Sequence, residues 1–164
     1  CLVVTALLAG TNMLTKDRIA EQAQITAEES RRIVLSEADA FEETDGCYTG
    51  TRGGEVVGYV FETEAKGYGG TVQVMTGIDT AGSITGVVIL SHEETPGLGA
   101  NAERASFTDQ YKQAVPENGI TLVKNKTPEA GEVEALTGAT ITSRAVTDAV
   151  NAAIEQYNAI KGGA

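Results

Sequence analysis

The sequence has no tryptophan, one histidine, two cysteines and three prolines in 164 residues. Cys1 and Cys47 lie far apart and no C-x-x-C occurs, so neither a disulfide framework nor a zinc pattern is written into the chain. His92 stands alone, without a Cys/His cluster, and no metal site is expected. Positive charge is scarce: 12 Lys and Arg face 23 Asp and Glu, for a net charge of −11. That balance argues against nucleic acid and against a basic patch on anionic lipid. There is no Walker motif, dinucleotide fingerprint or nucleophile elbow, so nucleotide hydrolysis, direct NAD binding and acyl transfer have no support. Glu93 and Glu94 are adjacent, and adjacent side chains in extended backbone diverge, so they do not make an acid/base pair. No catalytic residue is expected. Long apolar runs are missing too. Leu2-Val3-Val4-Thr5-Ala6-Leu7-Leu8-Ala9-Gly10 is shorter than the roughly 20 residues that span a bilayer.

Glycine is plentiful, 19 in all, and clusters at turns, which fits a strand-rich fold with tight connections. Lys16 to Phe41 is rich in Ala, Glu, Gln and Arg, holds no Gly or Pro, and is expected to be helical, with a capping box at Thr26-Ala27-Glu28-Glu29. Asp45-Gly46 and Gly53-Gly54 signal turns. Strands are expected over Glu55 to Glu62, Thr71 to Ile78 and Ser83 to Leu90, the last two joined as an antiparallel hairpin through Asp79-Thr80-Ala81-Gly82. Ala102 to Val115 reads as a helix with Phe107 and Tyr111 one turn apart, stopped by Pro116. Ile120-Thr121-Leu122-Val123 reads as a short strand, and Lys124 to Glu132 as a polar loop. The last helix is expected from about Ile141 to Ile160. The fold class is α+β, an antiparallel sheet packed with helices.

Two stretches carry the chemistry. Thr137-Gly138-Ala139-Thr140 precedes Ile141-Thr142-Ser143-Arg144 and a stripe of Ala145/Val146, Ala149/Val150, Ala153/Ile154 and Tyr157 at helical spacing. Thr140 is therefore a candidate N-cap, with unused N–H donors beyond it that a phosphate could meet. Taken alone, such a Thr is more often a cap and nothing else. Upstream, Glu94-Thr95-Pro96-Gly97-Leu98-Gly99 forms a constrained turn whose backbone can approach a flat ligand, or a plain strand-to-helix loop. Tyr68-Gly69-Gly70 reads either as a turn before a strand or as one wall of a ligand pocket.

Together with Gly69-Gly70, these two stretches resemble the FMN-binding domain shared by the G subunit of the Rnf complex and the C subunit of the sodium-pumping quinone reductase. The resemblance runs from about Thr11 to the C-terminus. It implies covalent FMN on the last Thr of the motif, here Thr140, through a phosphoester made by a flavin transferase. It also implies a pocket around Thr137, Gly138, Ala139, Thr142, Glu94, Thr95, Gly97, Leu98 and Gly69. The family's transferase motif begins with Asp three residues before the Ser/Thr, where this chain has Glu134. The implied function is electron transfer within a membrane ion-translocating oxidoreductase, Rnf-type and ferredoxin:NAD, beside other membrane subunits. The quinone-reductase C subunit, a stand-alone extracytoplasmic flavin module and a non-enzymatic anchored assembly domain are the alternatives. The expected organisation is the C-terminal part of a membrane helix over 1–15, a helical connector over 16–45 and the FMN-binding domain over 46–164. The apolar start is read as that membrane helix rather than as a tether behind a lipidated Cys1 or an ordinary buried helix. The flavin domain would lie on the extracytoplasmic side of the cell membrane, held by a single pass.

Overall fold

The computed structural model describes residues 25–44 and 46–162. Five strands follow one another as an antiparallel meander in the order β1-β2-β3-β4-β5. They are β1 (Ala40–Thr44), β2 (Cys47–Arg52), β3 (Glu55–Lys66), β4 (Thr71–Asp79) and β5 (Ile84–Ser91). Helix α1 (residues 25–34) lies against one face of the sheet. Helix α3 (Thr140–Gly162) lies against the other. Between β5 and α3 the chain makes 3-10 turns around the four-residue α2 (Ala105–Thr108). It then forms a small parallel pair from β6 (Thr121–Val123) and β7 (Glu132–Glu134).

The main core lies between the sheet and α3. Phe61, Val72, Val74, Ile78, Ile84 and Val87 meet Val146, Ala149, Val150, Ala153, Ile154 and Tyr157 there. Each such aliphatic or aromatic side chain stabilises the fold by about 1.5–3 kcal/mol when removed from water. Polar ties index the helix against the strands. Thr63 Oγ1 on β3 donates to the Ala149 carbonyl at 2.8 Å, and Tyr157 OH donates to the Asp79 carbonyl at 3.2 Å. On the opposite face Val34, Leu35, Val60 and Met75 form a smaller cluster, and Thr85 Oγ1 donates to the Val34 carbonyl. Cys47 is buried at the start of β2, its thiol donating to the Thr44 carbonyl at 3.2 Å.

The sheet is larger than the sequence pattern predicts. The three expected strands are present, with β3 extended to Lys66, and Gly53-Gly54 turns β2 into β3. The helix expected to reach Phe41 stops at residue 34, and Ala40 and Phe41 open β1 instead. Pairing of Phe41 with Gly50 and of Glu43 with Tyr48 overrides the helical preference of an Ala- and Glu-rich segment. The part of that helix before residue 25, and the membrane helix expected over 1–15, lie outside the described residues. The helix expected over Ala102 to Val115 is broken into turns. There the backbone is drawn onto the sheet edge, with Ile84 N–H bonded to the Gln113 carbonyl at 2.9 Å and Val115 N–H to the Gly82 carbonyl at 2.8 Å. Phe107 and Tyr111 still meet edge to face at 5.6 Å, both fully buried. Thr147 spends its hydroxyl proton on the Ser143 carbonyl, so Tyr111 OH donates to Thr147 Oγ1 at 2.8 Å. Burial pushes the Tyr111 phenol pKa up and keeps that donor protonated. The parallel β6–β7 pair is a feature the pattern did not announce. No helix among the described residues is long and apolar enough to cross a membrane.

Phe107 fastens the 3-10 segment to the core. Phe107→Ala is expected to cost about 4 kcal/mol of stability, read as a lower urea midpoint with an unchanged slope.

Candidate functional site

The site is built at one end of the sheet, where the β3–β4 loop, the loop after β5 and the start of α3 converge. Two turns of the same kind shape it. Thr95-Pro96-Gly97-Leu98 closes with Leu98 N–H on the Thr95 carbonyl at 3.1 Å, and Leu136-Thr137-Gly138-Ala139 with Ala139 N–H on the Leu136 carbonyl at 3.1 Å. Each holds glycine at the third position in the left-handed region, Gly97 at φ 79° and Gly138 at φ 77°, as a type II turn requires. A Cβ on Gly97 would meet nothing within 4 Å, so its backbone angle, not a close approach within the chain, calls for glycine there.

Helix α3 starts one residue earlier than expected. Ser143 N–H bonds the Ala139 carbonyl at 2.9 Å, which makes Ala139 the cap residue and Thr140 the first helical residue. Thr140 is therefore not the N-cap. A cap must lie outside the helix with its side chain folded back onto the first turn, and that place is taken by a residue with no side-chain oxygen. Two consequences follow. The Thr140 hydroxyl, half-buried, makes no hydrogen bond among the described residues. The N–H groups of Thr140, Ile141 and Thr142 also find no backbone partner among them.

The neighbouring Thr142 hydroxyl is committed. It is 2% exposed and donates to Glu94 Oε2 at 2.6 Å. Glu94 is 6% exposed, and its other oxygen accepts the N–H groups of Tyr68 at 2.7 Å and Gly69 at 3.1 Å. One carboxylate thus ties the β3–β4 loop to the first turn of α3. Gly99 makes this meeting feasible, since a Cβ there would stand 2.5 Å from Glu94 Oε2 and 2.6 Å from Thr142 Oγ1. Burial works to raise the Glu94 pKa, but the hydrogen bonds from Thr142, Gly69 and Tyr68 and the nearby His92 outweigh it and hold the pKa below its ordinary value. His92 serves as a brace: its Nδ1 accepts the Glu94 N–H at 3.1 Å, and its Nε2 lies 3.1 Å from Glu103 Oε1.

Above this frame lies a cavity of about 520 Å³, within the range of small-molecule sites. Of the residues expected at a site, Glu94, Thr95, Leu98, Gly138, Ala139, Thr140 and Thr142 line it. Thr137, Gly97 and Gly69 do not; they shape the adjoining turns and the Glu94 bonds. Ile141 was missed from the sequence, and Tyr68 and Gly99 stood beside expected positions. Tyr68 is 72% exposed, Leu98 48% and Ile141 54%, so three large apolar side chains stand at the mouth. Ile141 sits where an outward-facing helix position normally carries a polar side chain, and that was the available signal. No group of His, Cys, Asp and Glu among the described residues is arranged to hold a metal ion.

An apolar cavity next to an uncapped helix start suits a flat ligand that carries a phosphate. Residues 67–155 match the FMN-binding domain, and residues 1–30 match the RnfG N-terminal region. The chain is 34% identical to the G subunit of the proton-translocating ferredoxin:NAD(+) oxidoreductase complex of Clostridium ljungdahlii, over 99% of this chain and 89% of that protein. It is 38% identical to the G subunit of the Na(+)-translocating ferredoxin:NAD(+) oxidoreductase complex of Acetobacterium woodii, over 94% of this chain and 85% of that protein. Among solved structures, Shewanella oneidensis NqrC shares the fold with a TM-score of 0.58 at 22% identity, over 74% of this chain and 65% of that one. The chain belongs to the FMN-binding domain family, in the line of the G subunits of the ion-translocating ferredoxin:NAD(+) oxidoreductase complexes.

Because the folded pKa of Glu94 is lowered, its stabilisation is full above the ordinary value of 4.5 and is lost as pH falls through the folded value. Glu94→Gln should cost about 2 kcal/mol at pH 7, and its deficit against the wild type should shrink in melts stepped into the acid range. A deficit that stays constant with pH would assign the loss to shape, not charge.

Proposed function

We propose that the chain carries FMN covalently on Thr140 and passes electrons within a membrane ion-translocating ferredoxin:NAD oxidoreductase. One observation carries the reading: the Thr140 hydroxyl has no partner among the described residues, stands in the cavity wall, and opens a helix whose first N–H groups are unused. The other two threonine hydroxyls of the motif region are less suited, and Ser143 is buried with its hydroxyl donating to the Ala139 carbonyl. Thr142 is buried against Glu94, and Thr137 is exposed outside the cavity.

FMN supplies the electron chemistry when bound; the chain holds it. Thr140 Oγ1 provides the ester oxygen, and the free N–H groups and the positive end of α3 favour the phosphate. Leu98 and Ile141 offer apolar surface to a ring system, and Tyr68 an aromatic face. Glu94 holds the loops around them and keeps the Thr142 hydroxyl from competing with Thr140. A link through the phosphate leaves the ring edge free for electron transfer. Glu134 is exposed in β7, shortly before the motif, where a flavin transferase could read it in place of Asp. The Rnf-type G subunit is favoured over the quinone-reductase C subunit by sequence: near-full-length relatives at 34% and 38% identity, against 22% for NqrC, and the match over residues 1–30. Residues 1–15 would close a single membrane helix, the chain after it would lead into α1 and β1, which pack on and pair with the sheet, and the folded domain would face the extracytoplasmic side beside the other subunits.

Chain purified from its own membrane should exceed its sequence mass by one FMN less one water, and Thr140→Ala should remove the whole increment. An unmodified mass in a host with the transferase, or an adduct mapped to Thr137 or Thr142, would overturn the assignment. Protease added to intact spheroplasts should cleave the domain; protection until the membrane is opened would place it on the cytoplasmic side.

A further inference from the structure

Thr140 and Ile141 wall a second cavity as well, about 370 Å³, on the side of α3 away from Glu94. Its other walls are Lys66 at the end of β3, Lys124 just after β6, and Arg144 and Asp148 on α3. Three cations from three separate segments therefore meet at one hollow in a chain of net charge −11. Among the described residues Arg31 is paired with Glu62, Lys112 with Asp109, and Lys126 with Glu129 and Glu132, while Arg32, Arg52, Arg104 and Lys161 stand without an ion pair but line no hollow with a second unpaired cation. None of Lys66, Lys124 and Arg144 makes an ion pair or a hydrogen bond among the described residues. Even Asp148, one turn from Arg144, is not within salt-bridge distance of any of them. Three exposed cations facing one carboxylate leave an excess of positive charge, and an anion between them relieves their mutual repulsion. Thr140 and Ile141, whose N–H groups find no backbone partner among the described residues, line the same hollow at the start of α3. An arginine fork and two lysine point charges match the oxygens of a phosphoryl group.

We propose that Lys66, Lys124 and Arg144 form a phosphate subsite that holds the phosphoryl group of the flavin nucleotide beside Thr140. The ring system then occupies the apolar cavity and the phosphate the cationic one, with Thr140 shared by both. The proposal rests on the reading that this chain takes FMN; it adds which side chains hold the phosphate. It explains why the attachment residue stands between an apolar and a cationic hollow.

The test uses full-length chain produced without the transferase, titrated with FMN and with riboflavin by quenching of flavin fluorescence. Wild type should bind FMN at least about tenfold tighter than riboflavin, a difference of about 1.4 kcal/mol. That advantage should shrink as salt is raised. In Lys124→Ala/Arg144→Ala it should fall to within about twofold while riboflavin affinity stays unchanged, and Arg144→Lys should restore part of it. Equal affinity for the two flavins in wild type overturns the proposal, as does an FMN advantage that survives in the double variant. Loss of both flavins in parallel assigns the cations to structure and overturns it as well; so does failure of both to bind wild type. The Thr140 mass increment is read separately. An increment without an FMN preference sinks the subsite alone, and an FMN preference without an increment sinks the covalent reading alone.

Discussion

The buried stripe of α3 against the sheet is the constraint on which the rest of this domain depends. From Thr142 to Tyr157 the inward residues of the helix are buried, and the helix is tied at intervals along its length. Asn151 clamps both the N–H and the carbonyl of Ile120, at 2.7 and 2.9 Å, and so fastens the β6 strand to α3. Thr63 and Tyr157 index it against β3 and the end of β4. A helix held at this many points cannot slide without disturbing the core. Its first residue, Thr140, is thereby placed by packing that lies up to about five turns away.

Glu94 is the second constraint and acts locally. A buried carboxylate without partners would be costly, and here three donors satisfy it. Those donors come from segments far apart in sequence, so one charge draws the β3–β4 loop and the start of α3 to the loop that follows β5. Rim side chains then remain exposed although they are large and apolar: Tyr68, Leu98 and Ile141. Under the proposed function this is the expected balance, a rigid polar frame below and an apolar surface above that a ring system covers.

The two cavities that share Thr140 differ in character, and the difference is electrostatic. The larger is framed by backbone and apolar side chains, with its one carboxylate already satisfied. The smaller gathers three cations against a single carboxylate, Asp148, which forms an ion pair with none of them. A phosphorylated ring compound has the same division, an apolar body and an anionic end. The hydroxyl at the boundary is where a bond to the phosphate would leave the ring in its own compartment.

Much was legible locally. The 3.6-residue stripe from Ala145 to Tyr157 announced α3, short runs rich in Val, Ile and aromatic residues announced β3, β4 and β5, and Phe107 with Tyr111 announced a shared face, because residue type and spacing within one element are local properties. The Thr-Pro-Gly-Leu segment was recognisable as a turn because a glycine after proline readily takes a left-handed position, whereas Thr-Gly-Ala-Thr was legible only as the approach to a helix, and its own turn at Gly138 was not expected. What was missed depends on partners distant in sequence. Ala40–Thr44 became a strand because β2 pairs with it, and Ala102 to Val115 broke into turns because the sheet edge captured its backbone. The displacement of Thr140 from cap to first helical residue, the commitment of Thr142 to Glu94, and the meeting of Lys66, Lys124 and Arg144 could not be read from spacing at all. The sequence by itself determined that a helix follows the Thr-Gly-Ala-Thr segment and that glycine shapes the loops before it. Only the tertiary structure decided which hydroxyl stays free and which charges surround it, because both depend on through-space contacts that chain order does not specify.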